Sequence, residues 1–174
     1  MKKSVLALLV GLLVSAAAFA DHPDDSWGIG VVGSGNISYY FYGNLGLSLK
    51  APVVPIFWGV YSNIGYRKLG FTVTGDYYFF DNTMVDTQAT NEDGTYHLKL
   101  DWYLGIGGFF DLFMWDKVFL NAGVRIPTGV SWHIIKELEL CLGIAPGFGV
   151  TNLEGWRFHF VIPFEVSFRY WFLK

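Results

Sequence analysis

The segment "FHFVIPFEVSFRYWFLK", Phe158 to Lys174, constrains the fold more than any other part of the chain. It is strongly apolar, yet Glu165 and Arg169 are threaded through it. A membrane helix needs about 20 apolar residues and would not take Pro163 in its interior. A strand resolves the conflict, because its side chains alternate between two faces. Phe158, Phe160, Ile162, Phe164, Val166, Phe168, Tyr170 and Phe172 fall on one face. His159, Val161, Pro163, Glu165, Ser167, Arg169 and Trp171 fall on the other. The first face is apolar throughout, and both charges lie opposite it.

The same alternation recurs upstream. Leu98, Leu100, Trp102, Leu104, Ile106, Phe110 and Leu112 share a face against His97, Lys99, Asp101, Tyr103, Gly105, Gly107 and Asp111. Val118, Leu120, Ala122, Val124, Ile126, Val130 and Trp132 oppose Asn121, Gly123, Arg125, Gly129, Ser131 and His133. Leu138, Leu140, Leu142 and Ile144 oppose Glu139, Cys141, Gly143 and Ala145. Leu69, Phe71, Val73, Tyr77 and Phe79 oppose Gly70, Thr72, Thr74 and Asp76. Shorter candidates are Trp27–Gly33, Gly43–Lys50 and Ile56–Ile64. Together these make eight strands, the even number that a bacterial single-chain barrel requires.

Composition separates a membrane barrel from a soluble one. The first twenty residues carry Lys2 and Lys3, an apolar run and an Ala18-Phe19-Ala20 ending, which reads as a cleaved secretory signal over 1–20. The barrel is expected over 21–174. Charged residues are 16% and aromatics 19% of the sequence, against about 25% charged in a soluble domain. After the signal no run of 18 apolar residues occurs, so the spanning solution left is the closed β-barrel. The bulky face cannot point inward, because eight strands leave an interior only just wide enough for side chains. It faces lipid, where an Arg or Lys would cost roughly 2–4 kcal/mol at the midplane. The expected fold is therefore all-β, an eight-stranded antiparallel up-and-down transmembrane barrel.

The inward charged set is Lys50, Asp76, Lys99, Asp101, Arg125, Glu139, Glu165 and Arg169. Buried ions need partners, so a network of salt bridges across the lumen is expected. Arg125 would reach Asp101 or Glu139, and Arg169 would reach Glu165 or Glu139. Such a network reads as a plug, with an ion-conducting pore as the competing reading. Pro127, Pro146 and Pro163 lie within strands and are expected at bulges or bends. Trp27, Trp58, Tyr77, Trp102, Trp132, Tyr170 and Phe172 suit interfacial girdles. The polar stretch from Asp81 to Thr95 reads as a loop between the fourth and fifth strands. With both termini in the periplasm that loop is periplasmic, where turns are usually short.

Several segments resemble an uncharacterised family of small spirochaete outer-membrane barrels of OmpA/OmpX-like architecture. They are "LGLSLKAPVVPIFWGV", "TGDYYFFD", "DWYLGIGGFFDL", "GVRIPTGVSWH" and "LELCLGIAPGFGV". The resemblance implies an outer-membrane location and an eight-stranded barrel, and no activity. The chain departs from the usual insertion signal, which ends on an aromatic: here Leu173 and Lys174 follow Phe172.

Without Lys2 and Lys3 ten basic residues face fifteen acidic ones, which gives nucleic acid no basic face. The single Cys141 excludes an internal disulfide and reads as a small buried residue. No cofactor or metal is expected, and "GIGG" at 105–108 lies in a strand, not a phosphate loop. Ser131 and His133, with Glu137 nearby, are the candidates for a lipid-modifying enzyme. One Ser-x-His is a weak signal, so a non-enzymatic role is expected. His97 and His159 read as polar lumen residues near the rims. The expected partners are outer-membrane lipid, the barrel-assembly machinery and host or surface ligands. The expected role is structural or adhesin-like.

Overall fold

A computed structural model describes residues 26–36, 42–65, 68–91, 94–114, 118–152 and 155–172. The expected signal segment lies outside these residues. So do 37–41, within the region where strand boundaries are hardest to read from sequence. The strand segments are β1 Trp27–Asn36, β2 Tyr42–Lys50, β3 Phe57–Gly65, β4 Lys68–Asn91, β5 Gly94–Met114, β6 Val118–Arg125, β7 Thr128–Ile135, β8 Leu138–Ile144, β9 Gly147–Thr151, β10 Arg157–Val161 and β11 Pro163–Phe172. All pairings are antiparallel: β1 to β5 pair in sequence order, β5 pairs with both β6 and β7, β9 with β6 and β10, β8 with β7 and β11, and β11 pairs with β1 to close the sheet. Segments β6 and β7, β8 and β9, and β10 and β11 are each one strand interrupted at a proline. The architecture is a closed, eight-stranded antiparallel barrel.

The prolines interrupt the ladder without shifting it. Gly105 N donates to Pro127 O at 2.8 Å, Ile126 N to Pro146 O at 2.9 Å, and Ala145 N to Pro163 O at 2.9 Å. Each proline thus accepts its half of a paired exchange and omits the half that needs an N–H. The pairing register on either side is the same, so no residue is inserted. The expected bulges at Pro127, Pro146 and Pro163 are absent. Bulges fall instead at Phe79, Met84 and Ile134.

Register sets the barrel's shape. Gly28 pairs directly with Trp171. Followed the other way round, the pairs run Gly28, Lys50, Phe57, Asp76, Gly107, Arg125, Gly147 and end at Val161, ten residues short of Trp171. With about 4.8 Å between strands and 3.3 Å per residue, that stagger tilts the strands by about 40°. The value lies within the range of outer-membrane barrels.

The alternation read from the C-terminal segment holds. Phe168, Tyr170 and Phe172 are exposed, while Ser167, Arg169 and Trp171 are buried. The bulge at Phe79 moves the parity of β4. Tyr78, ahead of the bulge and on the inner parity of Thr74 and Asp76, stacks between Phe57 and Tyr103, with ring centroids 4.4 and 4.6 Å away. Phe80 takes the outward place beside Trp102. Trp27, Trp58, Trp132, Tyr170 and Phe172 are exposed at the end of the barrel where β1 begins and β11 finishes.

The expected loop from Asp81 to Thr95 is corrected. β4 and β5 pair through it residue by residue to Asn91 and Gly94. Its threonines and Val85 suit a strand, and polarity marked only that the strand leaves the lipid. The result is a long hairpin projecting from the end of the barrel that also carries Trp27 and Phe172. Among the described residues, no strand pairs with the other edge of β4 beyond Asp76.

Large rings enter the lumen because facing strands carry glycine. A Cβ at Gly129 would stand 2.6 Å from the Tyr103 hydroxyl, and one at Gly149 would stand 2.8 Å from Phe109 Cζ. At Gly33, on the outer face, the nearest atoms are 4.0 Å away. Gly129→Ala and Gly149→Ala are therefore expected to destabilise by about 1–3 kcal/mol through overpacking, and Gly33→Ala to be tolerated. The midpoint of heat-modifiable gel migration checks this; equal midpoints for all three would refute it.

Candidate functional site

Of the eight charged residues expected to face inward, Lys50, Asp76, Asp101, Arg125, Glu139 and Arg169 are buried and Lys99 and Glu165 half-buried, in layers along the axis. In the middle layer Arg125 reaches from β6 in two directions. Its Nε donates to Asp76 Oδ1 at 2.7 Å and its Nη2 to Asp76 Oδ2. Its Nη1 donates to Glu165 Oε1 at 2.6 Å, and the Tyr61 hydroxyl donates to the same oxygen at 3.1 Å. This cluster joins β3, β4, β6 and β11 across the lumen.

The expected partners of Arg125, Asp101 and Glu139, are not the ones it meets. The reason lies in the register. Arg125 is paired with Gly107 on one side and Gly147 on the other. Neither has a side chain to contact, so the guanidinium passes over both immediate neighbours. Asp76 is the residue paired with Gly107 from the far side. A Cβ on Gly107 would collide with the Asp76 carboxylate. Asp101 lies six residues further along β5, about 20 Å away along the strand.

The second layer is built on Arg169. Its Nη1 donates to Glu139 Oε2 at 2.8 Å and its Nη2 to Ser48 Oγ at 2.9 Å. Trp171 Nε1 donates to the same Glu139 oxygen at 2.8 Å. The guanidinium lies 4.7 Å from the Phe57 ring centroid and 5.5 Å from that of Trp171. Of the two partners expected for Arg169, Glu139 is the one found; Glu165 sits in the middle layer. Lys50 is buried beside the same Phe57 ring, 5.8 Å from its centroid, and donates to Ala51 O.

The third layer lies at the base of the projecting hairpin. Asp101 accepts from Thr83 Oγ1 at 2.6 Å. Its other oxygen lies 3.4 Å from Lys99 Nζ and 3.2 Å from His133 Nε2. Asp81 is buried at the same end. Ser131 is fully buried and faces the lumen, as does His133. Neither reaches the lipid surface where an acyl chain would lie. The side chain of His97 lies outside the described residues.

Toward the opposite end Asp111 accepts from Asn121 Nδ2 at 2.6 Å. Space remains on both sides of the Arg125 layer. One cavity of about 30 Å³ is lined by Ser48, Phe57, Tyr78, Tyr103, Cys141 and Arg169 among others. Another of about 40 Å³ is lined by Ser34, Asn44, Thr72, Thr74, Phe109 and Asp111 among others. Each exceeds the roughly 10–15 Å³ that a single ordered water requires. Tyr61, Thr74, Arg125 and Glu165 line both.

Asp111 and Asp81 are the charged residues that sequence reasoning left out of the lumen set. Asp111 already stood on the inner parity of β5. Asp81 was hidden because its strand was read as a loop. The aromatic donors Tyr61 and Trp171 carry no charge signal, though Trp171 stood on the inner parity.

The class is thus a closed eight-stranded antiparallel barrel with an apolar exterior and paired charges and aromatic rings in its lumen. No family model matches the chain, and no curated protein matches it. Two solved structures align with it. One is the N-terminal β-barrel domain of Pseudomonas aeruginosa OprF, at 11% identity and TM-score 0.49, covering 84% of this chain and 98% of that one. The other is Ail, the attachment invasion locus protein of Yersinia pestis, at 13% identity and TM-score 0.33, covering 84% and 97%. The closed pairing order carries the fold assignment by itself.

Removing one partner of a buried pair leaves the other charge stranded. Arg169→Met, which strands the fully buried Glu139, is expected to cost about 3–5 kcal/mol. Arg169→Met with Glu139→Gln is expected to recover most of that loss. Heat-modifiability midpoints of the two single variants and the double variant test the pairing; additive losses would show that the two side chains do not couple.

Proposed function

We propose that the chain is an integral protein of a bacterial outer membrane with a structural or surface-contact role, its lumen closed by the charge network. The observation that carries this is the Arg125 cluster, which joins four strand segments across the lumen where a passage would have to run. The outer face supports the location. Leu45, Leu47, Val60, Phe71, Ile106, Val124, Leu142, Phe148 and Phe168 are all exposed around the barrel, as lipid contact requires. Lipid and the barrel-assembly machinery are its general partners. Membership of the small spirochaete family rests on the segments quoted above.

Reconstituted protein is expected to show no discrete openings in a planar bilayer. Openings in the unmodified protein would remove the plug. A second reading, a narrow gated channel, is favoured by the cavities on both sides of Arg125. On that reading Arg125→Ala joins the cavities and opens the barrel to ions, while a folded but silent Arg125→Ala counts against it.

Contact with another macromolecule falls to the projecting hairpin. The connections between the described strands at the opposite end are short, whereas β4 and β5 extend as a paired hairpin well beyond the barrel. With the termini in the periplasm, the hairpin is periplasmic and its partner is there too. Thr87 is exposed on this hairpin, and the native Cys141 is buried. A membrane-impermeant maleimide is expected to label Thr87→Cys only after the outer membrane is permeabilised. Labelling in intact cells would put the hairpin outside and make it the host-facing element.

A further inference from the structure

We propose that the turn joining β2 to β3, residues 51–56, is a lipid-inserting loop that seats Val53 and Val54 in the headgroup–acyl boundary of the membrane. The inference rests on the outer-membrane reading above. Its first support is composition. The turn reads "APVVPI", with no charged, amide or hydroxyl side chain, whereas turns that face water favour Gly, Asn, Asp and Ser. The other described turn at this end of the barrel, between β7 and β8, is Lys136-Glu137.

The second support is in the backbone. Val53 has a φ of 68°, in the left-handed region that a β-branched residue rarely enters and that glycine takes freely. Pro52 followed by such a residue matches the central pair of a type II turn, whose third position is usually Gly. Pro55 favours an extended Val54, so the two prolines hold the turn around Val53. Strain of this kind persists only where something compensates it. Val53 finds little compensation inside the chain. It is 83% exposed, the most exposed large apolar side chain among the described residues. Val54 and Pro55 are exposed beside it. What compensates the strain therefore lies outside the chain.

Continuity with the lipid-facing belt names the occupant. Lys50 pairs with Gly28, so Ala51 leaves the sheet opposite Trp27. The chain returns to the sheet at Phe57, next to Trp58. Both tryptophans are exposed, and such rings mark the boundary between membrane and water. The apolar turn hangs between them. The charged turn reaches further out. His133, which leads into it, pairs with Lys99, and Lys99 lies eight residues along β5 from Gly107, which is linked through Asp76 to Phe57. With the strand tilt counted, His133 lies about 11 Å nearer the hairpin end than Phe57. The polarity of the two turns thus follows their depth. A socket on another protein would cover the valines without accounting for that match; insertion at the lipid boundary accounts for both.

The test uses the barrel reconstituted in phosphatidylcholine vesicles that hold no other protein. A nitroxide is attached at Val53→Cys and, in separate samples, at Phe168→Cys on the outer face and at Thr87→Cys on the hairpin. The native Cys141 is buried. The ratio of nitroxide collisions with oxygen to those with a water-soluble nickel chelate reads depth. At position 53 the ratio is expected to be severalfold above that at 87 and close to that at 168. A ratio at 53 equal to that at 87, with 168 in lipid, overturns the lipid-inserting loop and leaves the membrane reading standing. A socket on another protein would give that same result. A ratio at 168 equal to that at 87 overturns the membrane reading and the loop together. Should labelled Val53→Cys not fold, Val54→Cys decides by the same ratios.

Discussion

In a medium without water, every backbone N–H and C=O must find a partner inside the protein. For this chain that demand is met by β11 returning to β1, and the rest of the structure follows from how the ring closes. The ten-residue stagger between Trp171 and Val161 tilts the strands and sets the bore. A bore that narrow admits a side chain from one strand only where its neighbours yield. Gly107 and Gly147 yield to Arg125, and Gly129 and Gly143 yield to Tyr103. The prolines obey the same demand. Each sits where its carbonyl is still used, so closure survives three missing donors.

The lumen network adds specificity to this frame. A buried ion pair contributes little net stability, because desolvation offsets much of the attraction. A pair that only one register can form does something else. A slip of one residue would turn every side chain of a strand to the opposite face. Such a slip in β6 would put Arg125 in lipid and leave Asp76 and Glu165 without their guanidinium. Arg169 holds β11 to β8 through Glu139 and to β2 through Ser48 in the same way. The two arginines therefore penalise misregistered closures of the strands that meet last in the chain.

The fold was legible because alternation has a period of two over many residues. Glu165 and Arg169 showed which face looks inward before any contact was known. Partner choice was not legible in the same way. It depends on which residues lie level across a tilted barrel, and the tilt is a property of closure, not of any one strand. Asp101 and Glu139 looked near to Arg125 because they belong to adjacent strands, whereas Asp76 and Glu165 lie level with it. The bulge at Phe79 was hidden for a local reason. Four consecutive aromatics, Tyr77 to Phe80, fit either face, so the sequence carries no mark of where the parity changes. The hairpin beyond Asp81 was hidden by its polarity, which reports contact with water and says nothing about strand pairing.

The distribution of charge along the axis links the lumen to its ends. At the hairpin end Lys50, Lys99 and Arg169 face Asp81, Asp101 and Glu139, so that half is balanced among its described residues. The other half holds Asp111 beyond the shared Arg125 layer, where the Asn121 amide donates to it. Arg125 stands between the two halves: with Tyr61, Thr74 and Glu165 it lines the cavity on either side.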